Sequence, residues 1–316
     1  MSKLSTDPYK GVRDFYPEDQ AIQNYIFDTW KKVAKGLGYV EYGASILEPA
    51  DLYKSKGSDE IVNEQTFTFI DRGGREVVLR PEMTPTLARM VAAKRRELKF
   101  PLRWFSIPNL FRYEQPQRGR KREHWQLNCD LMGIANTEAE LEIIKLAHDI
   151  MKEFGAEDKD FEILINDRRA PLKGIREKQK EITKEQEQKL LRIRDKRDKI
   201  SADEYRSKIE EILGESIDID SEESEDVKLV ISKLKEAGMD NVKFSPTLTR
   251  GFDYYSGIVF EVFDTHPDNR RSLFGGGRYD NLLEIFGVEP VPTIGFGMGD
   301  ITMKDFLETH KLGPYA

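Results

Sequence analysis

The strongest constraint on the fold lies between Leu102 and Met132, where two strand-like runs flank a loop dense in arginine. Leu102 to Phe111 reads as an apolar strand ending at Phe111-Arg112-Tyr113-Glu114. A loop carrying Arg118, Gly119, Arg120, Lys121 and Arg122 follows, and Trp125 to Met132 returns with polar residues at alternate positions. Side chains two apart on a strand share a face, so Gln126, Asn128 and Asp130 point the same way. The result is a hairpin with a cationic tip and one polar face. Such a device suits a polyanion at the tip and a small polar ligand on the sheet.

The rest of the chain alternates hairpins with helices. Ile22, Tyr25, Ile26, Trp30, Val33 and Leu37 recur at helical spacing over residues 18–37, and Gly38 marks the stop. Residues 39–47 read as extended up to Glu48-Pro49. Residues 66–71 and 76–80 form a hairpin across Asp71-Arg72-Gly73-Gly74. Arg80-Pro81-Glu82-Met83-Thr84-Pro85 interrupts, and a helix is expected over 86–96. Thr137-Glu138-Ala139-Glu140 has the pattern of a capping box for a helix reaching about Phe154, and Phe161 to Ile165 is a strand. Later strands at 244–248 and 258–263 flank Thr249-Arg250-Gly251-Phe252-Asp253-Tyr254-Tyr255. Gly275-Gly276-Gly277-Arg278-Tyr279-Asp280 leads into a helix at 281–286, and a last helix lies near 300–309. This mixture predicts an α+β fold, an antiparallel sheet flanked by helices, rather than a doubly wound parallel sheet.

Charge divides the chain. From Arg168 to Lys199 there are 13 basic and 6 acidic residues, and from Asp203 to Asp226 there are 11 acidic and 2 basic. Residues 167–235 therefore read as an inserted helical region between a core of 1–166 and 236–316. Either the insertion is a solvated excursion whose opposite charges partly cancel, or its basic part touches nucleic acid. The net charge of −7 carries no global nucleic-acid signature, so such contacts must rest on local basic patches. One cysteine, Cys129, excludes a disulfide framework. Four scattered histidines without paired cysteines argue against a protein-built zinc site. With neither a membrane-length apolar run nor a signal-peptide core, the expected setting is cytoplasmic, without a membrane partner.

The hairpin resembles motif 2 of class II aminoacyl-tRNA synthetases, in the form found in histidyl-tRNA synthetases. Lys10-Gly11-Val12-Arg13-Asp14-Phe15 resembles that family's N-terminal signature, and Leu248 to Tyr255 its histidine-specific motif. The resemblance implies ATP-dependent activation of histidine, with Mg²⁺ bound with ATP, and transfer of histidine to tRNA(His). It implies catalytic roles for Arg112 and Arg250, and histidine binding by Glu82, Thr84, Gln126, Asp130, Tyr254 and Tyr255. ATP would meet Arg112, Glu114, Arg120 and Arg250, with Glu114 orienting Arg112 or accepting from adenine. The acceptor end of tRNA would meet Gln117, Arg118 and Arg122, and Pro49 would lie at a homodimer interface. These assignments suit the chemistry. Two anions must meet, which needs fixed cations, and a selective pocket needs polar groups that a wrong ligand leaves unpaired.

Three features depart from the family pattern. Asp130 stands where glutamate is common, which shortens the reach of the carboxylate. Thr302 stands where motif 3 usually carries an ATP-binding arginine. The chain stops at Ala316, where family members continue into an anticodon-binding domain. The last two leave a second reading open, a histidine-sensing regulatory subunit of ATP phosphoribosyltransferase without catalytic activity of its own.

Overall fold

The computed structural model describes residues 4–54, 65–170, 175, 182–194, 197, 200–215, 222–249 and 254–316. Its first helix, α1 (Pro17–Gly36), opens on Pro17, where a missing N–H is harmless. It buries Ile26, Trp30 and Ala34 on one stripe. The chain then turns at Gly38, whose φ of 82° favours glycine. Residues 39–47 were expected to be extended throughout. They contain only the short strand β1 (Val40–Glu41), and the next strand, β2 (Leu47–Pro49), joins a different sheet. That three-stranded sheet has the order β2-β4-β3, with β3 (Phe67–Ile70) and β4 (Glu76–Leu79) forming the predicted hairpin. The four-residue helix α2 (Asp51–Lys54) lies beside it.

The main sheet has nine strands in the order β1-β5-β7-β12-β11-β10-β8-β9, with β6 pairing on β7. These are β5 (Leu102–Ser106), β6 (Asn109–Phe111), β7 (Glu123–Met132), β8 (Phe161–Asp167), β9 (Val242–Phe244), β10 (Ile258–Asp264), β11 (Ser272–Arg278) and β12 (Thr293–Gly299). Only the two end pairs, β1 with β5 and β8 with β9, are parallel; the interior is antiparallel. The single strand expected over 102–111 is two strands, broken where Pro108 cannot donate to a ladder. The Pro108 carbonyl still accepts from the Gln126 amide at 3.1 Å, so the two halves share β7.

One face of this sheet packs on α1, α4 (Glu138–Glu153), α7 (Glu225–Glu236) and α8 (Asp300–His310). Leu127, Cys129 and Leu131 of β7 lie in that core, as the alternation requires. Trp30 donates its indole N–H to the Met298 sulfur at 3.0 Å. Val227, Val230, Ile231 and Leu234 of α7 belong to the same core, although their charge context had grouped them with the insertion. A separate small cluster of Ile175, Leu190, Tyr205 and Ile209 joins α5 (Lys184–Arg194) to α6 (Ala202–Leu213).

Three local expectations fail for physical reasons. Thr137 does not cap α4 with its side chain, because its backbone is already helical at φ −66°, ψ −8°. Helix α3 (Thr84–Ala93) starts two residues earlier than expected, since Pro85 fits a first helical turn. The short helix after the glycine run, Leu282–Phe286, is of the tighter 3₁₀ type.

The arginine of that glycine run is structural. Arg278 donates from Nε and Nη2 to both carboxylate oxygens of Glu140 at 2.5 and 2.6 Å, tying the end of β11 to the start of α4. Both residues are buried, so Arg278→Ala leaves an uncompensated carboxylate. Urea denaturation should show a loss of about 3–5 kcal/mol. Arg278→Met combined with Glu140→Leu should recover most of it.

Candidate active site

The opposite face of the main sheet carries the polar residues of β7. Asp130 lies opposite Gly295, which lies opposite Gly277; Asn128 lies opposite Gly297, which lies opposite Gly275. This floor has backbone where neighbouring side chains would stand. A Cβ on Gly295 would come within 2.2 Å of Asp130 Oδ1, and one on Gly297 within 2.7 Å of Gln126 Cδ. Glycine at these positions lets the acid and the amide lie flat across the sheet.

Two adjoining cavities open on this floor. The inner one, about 110 Å³, is lined by Glu82, Thr84, Asp130, Tyr254, Tyr255 and Tyr279 among others. The outer one, about 260 Å³, lies between the arginine-rich loop and the start of α8, and includes Glu114, Arg120, Lys121 and Thr302. Arg112, Gln126 and Gly297 line both.

Glu82 sits on the turn before α3, which two residues fix. Arg80 donates from Nη1 to the carbonyls of Ala44 and Ser45 and from Nε to that of Asn109. Tyr53 donates to the Glu82 carbonyl at 3.1 Å and pairs with Thr86 at 3.0 Å. The Glu82 carboxylate is buried. Its Oε2 accepts from the Tyr254 hydroxyl at 3.2 Å, while Oε1 has no partner among the described residues. Burial pushes its pKa up to about 7, against the opposing effects of Arg112 and Tyr254. Asp130 is likewise pushed by burial to about 7, although the Tyr279 hydroxyl donates to it. Two buried carboxyls, one of them with an unpaired oxygen, favour a cation or an N–H donor in the inner cavity.

Arg112 is oriented by the Pro81 carbonyl, which accepts from its Nε at 3.0 Å. Glu114, expected to orient Arg112 or to accept from adenine, has its carboxylate 4.0 Å from Arg120. Beside Arg112, His124 has its pKa lowered to about 3 by burial and by the charges of Arg112 and Arg13, so it is neutral. The Thr302 hydroxyl lies between the carbonyls of Leu273 (2.8 Å) and Gly299 (3.1 Å).

The loop tip is a tight turn in which Gln117 and Arg120 exchange backbone hydrogen bonds of 3.1 and 3.0 Å. Arg118 and Arg120 are 64% and 62% exposed. Arg122 departs from the expectation of a surface cation and is buried. Its Nη1 donates to Tyr9 at 2.9 Å, its Nε donates to the Glu114 carbonyl, and its guanidinium stacks 4.0 Å over Tyr113. It braces the loop from within. Pro49 is exposed on edge strand β2. Arg250 lies outside the described residues.

Sequence reasoning missed three supporting groups. Tyr279 reaches Asp130, Tyr53 holds the Glu82 turn, and Arg13 pairs with buried Asp300 at 2.7 Å. Tyr279 was within reach, because it lies two residues beyond Gly277 and period two aims it at the same face. The other two are contacts between segments distant in sequence.

A family model described as histidyl-tRNA synthetase matches residues 11–213 and 210–300. The chain belongs to the histidyl-tRNA synthetase family. It is 46% identical to a histidine–tRNA ligase of Leptospira biflexa over 99% of its own length and 76% of the relative. Identity to the Haloarcula marismortui histidine–tRNA ligase is 40%, over 94% of this chain and 74% of that one. Among solved structures, a Bacillus halodurans protein described as an ATP phosphoribosyltransferase regulatory subunit/histidyl-tRNA synthetase aligns with TM-score 0.73. It is 26% identical, over 98% of this chain and 84% of the other. The Nostoc histidyl-tRNA synthetase shares the fold with TM-score 0.74 at 19% identity, over 97% of this chain and 75% of that one. The fold of this synthetase-family chain is the α+β class expected from its sequence.

Burial of Glu82 has a consequence for stability. The folded carboxyl keeps its proton up to about pH 7, whereas the unfolded one releases it near 4.5. The folded state therefore binds more protons within that window, and stability falls as pH rises through it. Glu82→Gln removes the loss. Its melting temperature should exceed that of the native chain at pH 8, with the advantage shrinking towards pH 5. An advantage independent of pH would contradict the assignment.

Proposed function

We propose that the chain is a histidine–tRNA ligase: it forms histidyl-adenylate from histidine and ATP, then transfers histidine to the 3′ end of tRNA(His). The observation that carries this reading is Arg112, which lines both cavities where they meet. Activation needs a carboxylate and an α-phosphate brought together against their repulsion, and a fixed guanidinium at that junction serves both.

Histidine fits the inner cavity. Its ammonium lies at Glu82, with Thr84 beside it, and its imidazole N–H points to Asp130, within the Tyr254 and Tyr255 walls. Gln126 lies at the carboxylate end. ATP lies in the outer cavity with Glu114 at the base and Arg120 near the phosphates. Mg²⁺ comes bound to ATP. The histidine carboxylate oxygen bonds to the α-phosphorus, the α–β phosphoanhydride bond breaks, and pyrophosphate leaves. Arg250, from the sequence motif, assists this step. The terminal ribose hydroxyl of tRNA then attacks the acyl carbon and AMP departs, its phosphate accepting the proton.

The exposed Gln117 and Arg118 meet the acceptor end of tRNA, and Arg122, buried behind them, holds the loop in place. The small sheet supports a homodimer. Leu47, Pro49 and Phe69 are exposed on one apolar face of β2-β4-β3, alongside Val77 and Leu79. Such a face calls for cover by a second copy. No helix among the described residues is long and apolar enough to cross a membrane, and a cytoplasmic setting fits the single buried cysteine. The regulatory-subunit reading has less support, because a histidine sensor has no use for a second cavity lined by Arg120 and Lys121 beside its ligand.

Histidine-dependent ATP–pyrophosphate exchange tests the reading, and its absence in the native chain would overturn it. Arg112→Ala should lower exchange by about a hundredfold or more with the fold intact by circular dichroism. Charging of tRNA(His) should fall more steeply with added salt than exchange does, because only charging displaces counterions from tRNA.

A further inference from the structure

Thr302 leaves the outer cavity without the motif 3 cation. Its hydroxyl is already held by the Leu273 and Gly299 carbonyls and has no charge to offer a phosphate. The cavity nevertheless has a cation near that wall. Arg271 immediately precedes β11, next to the lining residues Ser272 and Leu273. Its Nη1 lies 3.3 Å from Asp305 Oδ2 on α8, and its side chain keeps 25% of its surface exposed. Asp305 is one helical turn beyond Thr302, so the two share a face of α8. The Arg271 guanidinium therefore stands over the helix face from which an arginine at 302 would rise.

Its second contact is with the arginine-rich loop. The guanidinium packs directly on Gly119, where an added Cβ would lie 1.7 Å from Nη2. Gly119 also has φ +73°, a backbone conformation that favours glycine. Gly119, Arg120 and Lys121 all line the outer cavity. The guanidinium thus lies between Asp305 and the loop that carries Arg120 and Lys121 to the cavity.

We propose that Arg271 binds the terminal phosphates of ATP, supplying from the start of β11 the charge that Thr302 does not supply from α8. This inference rests on the ligase reading. A purely structural clamp, pairing with Asp305 and fixing the loop, is separated from this role by experiment.

ATP affinity would be measured in pyrophosphate exchange and AMP affinity by its inhibition of the same reaction. Arg271→Ala should raise the KM for ATP about tenfold or more, as for loss of a charge-assisted contact. The KM for histidine and the inhibition constant of AMP should stay near native values, because AMP lacks the phosphates that Arg271 holds. Adding Thr302→Arg to Arg271→Ala should restore ATP affinity. Asp305→Asn breaks the ion pair but keeps the cation, so it should leave the KM for ATP near native. If Asp305→Asn matches Arg271→Ala, or if Arg271→Ala weakens ATP and AMP equally, Arg271 is only a clamp and the proposal is overturned. Should Arg271→Ala not fold, Arg271→Gln gives the same comparison. A native chain without exchange would instead sink the ligase reading itself.

Discussion

Burial of two carboxyl groups, Asp130 on a glycine-paved sheet and Glu82 on the turn beside it, is the constraint around which the site is organised. Glu82 and Asp130 lie where water is scarce, and each holds a proton far more tightly than an exposed carboxyl. Such groups destabilise the chain above neutral pH unless something cationic or hydrogen-bond donating meets them. The surroundings are arranged to tolerate this. Tyr254 donates to one and Tyr279 to the other, Arg112 stands close to Glu82, and Tyr53 and Arg80 hold the turn from behind. The stability lost on this face is offset by the continuous apolar core on the other, where Trp30, Phe105, Phe260 and Phe306 are fully buried.

The same sheet separates recognition from nucleotide binding without a domain boundary. Three residues, Arg112, Gln126 and Gly297, border both cavities. A ligand carboxylate in the inner cavity and a phosphate in the outer one must therefore meet at one guanidinium. That guanidinium is aimed by a backbone carbonyl, a partner that neither titrates nor changes rotamer. The loop beyond it is braced by buried Arg122 while Arg118 and Arg120 remain in solvent. Arginines close in sequence thus divide between support and contact.

Much of this was legible in the sequence. Period-two alternation put Gln126, Asn128 and Asp130 on one face, and all three line the inner cavity. The hairpin across Asp71 to Gly74 and the stop at Gly38 follow from local turn chemistry. Capping at Thr137 and an unbroken strand over 102–111 do not hold, because the backbone of Thr137 is already helical and Pro108 withdraws a donor.

By itself the sequence determined the strand faces, the helix stripes, the turn glycines and the family motifs in order. All of these depend on residues near one another in the chain, where spacing translates directly into direction. Only the tertiary structure decided which arginines are buried and which meet solvent, that Tyr279 serves Asp130, that Arg13 serves Asp300, and that Arg271 pairs with Asp305, one turn beyond Thr302. Those outcomes depend on which strand lies beside which and on how much water each side chain retains, and both are set by packing across the whole sheet.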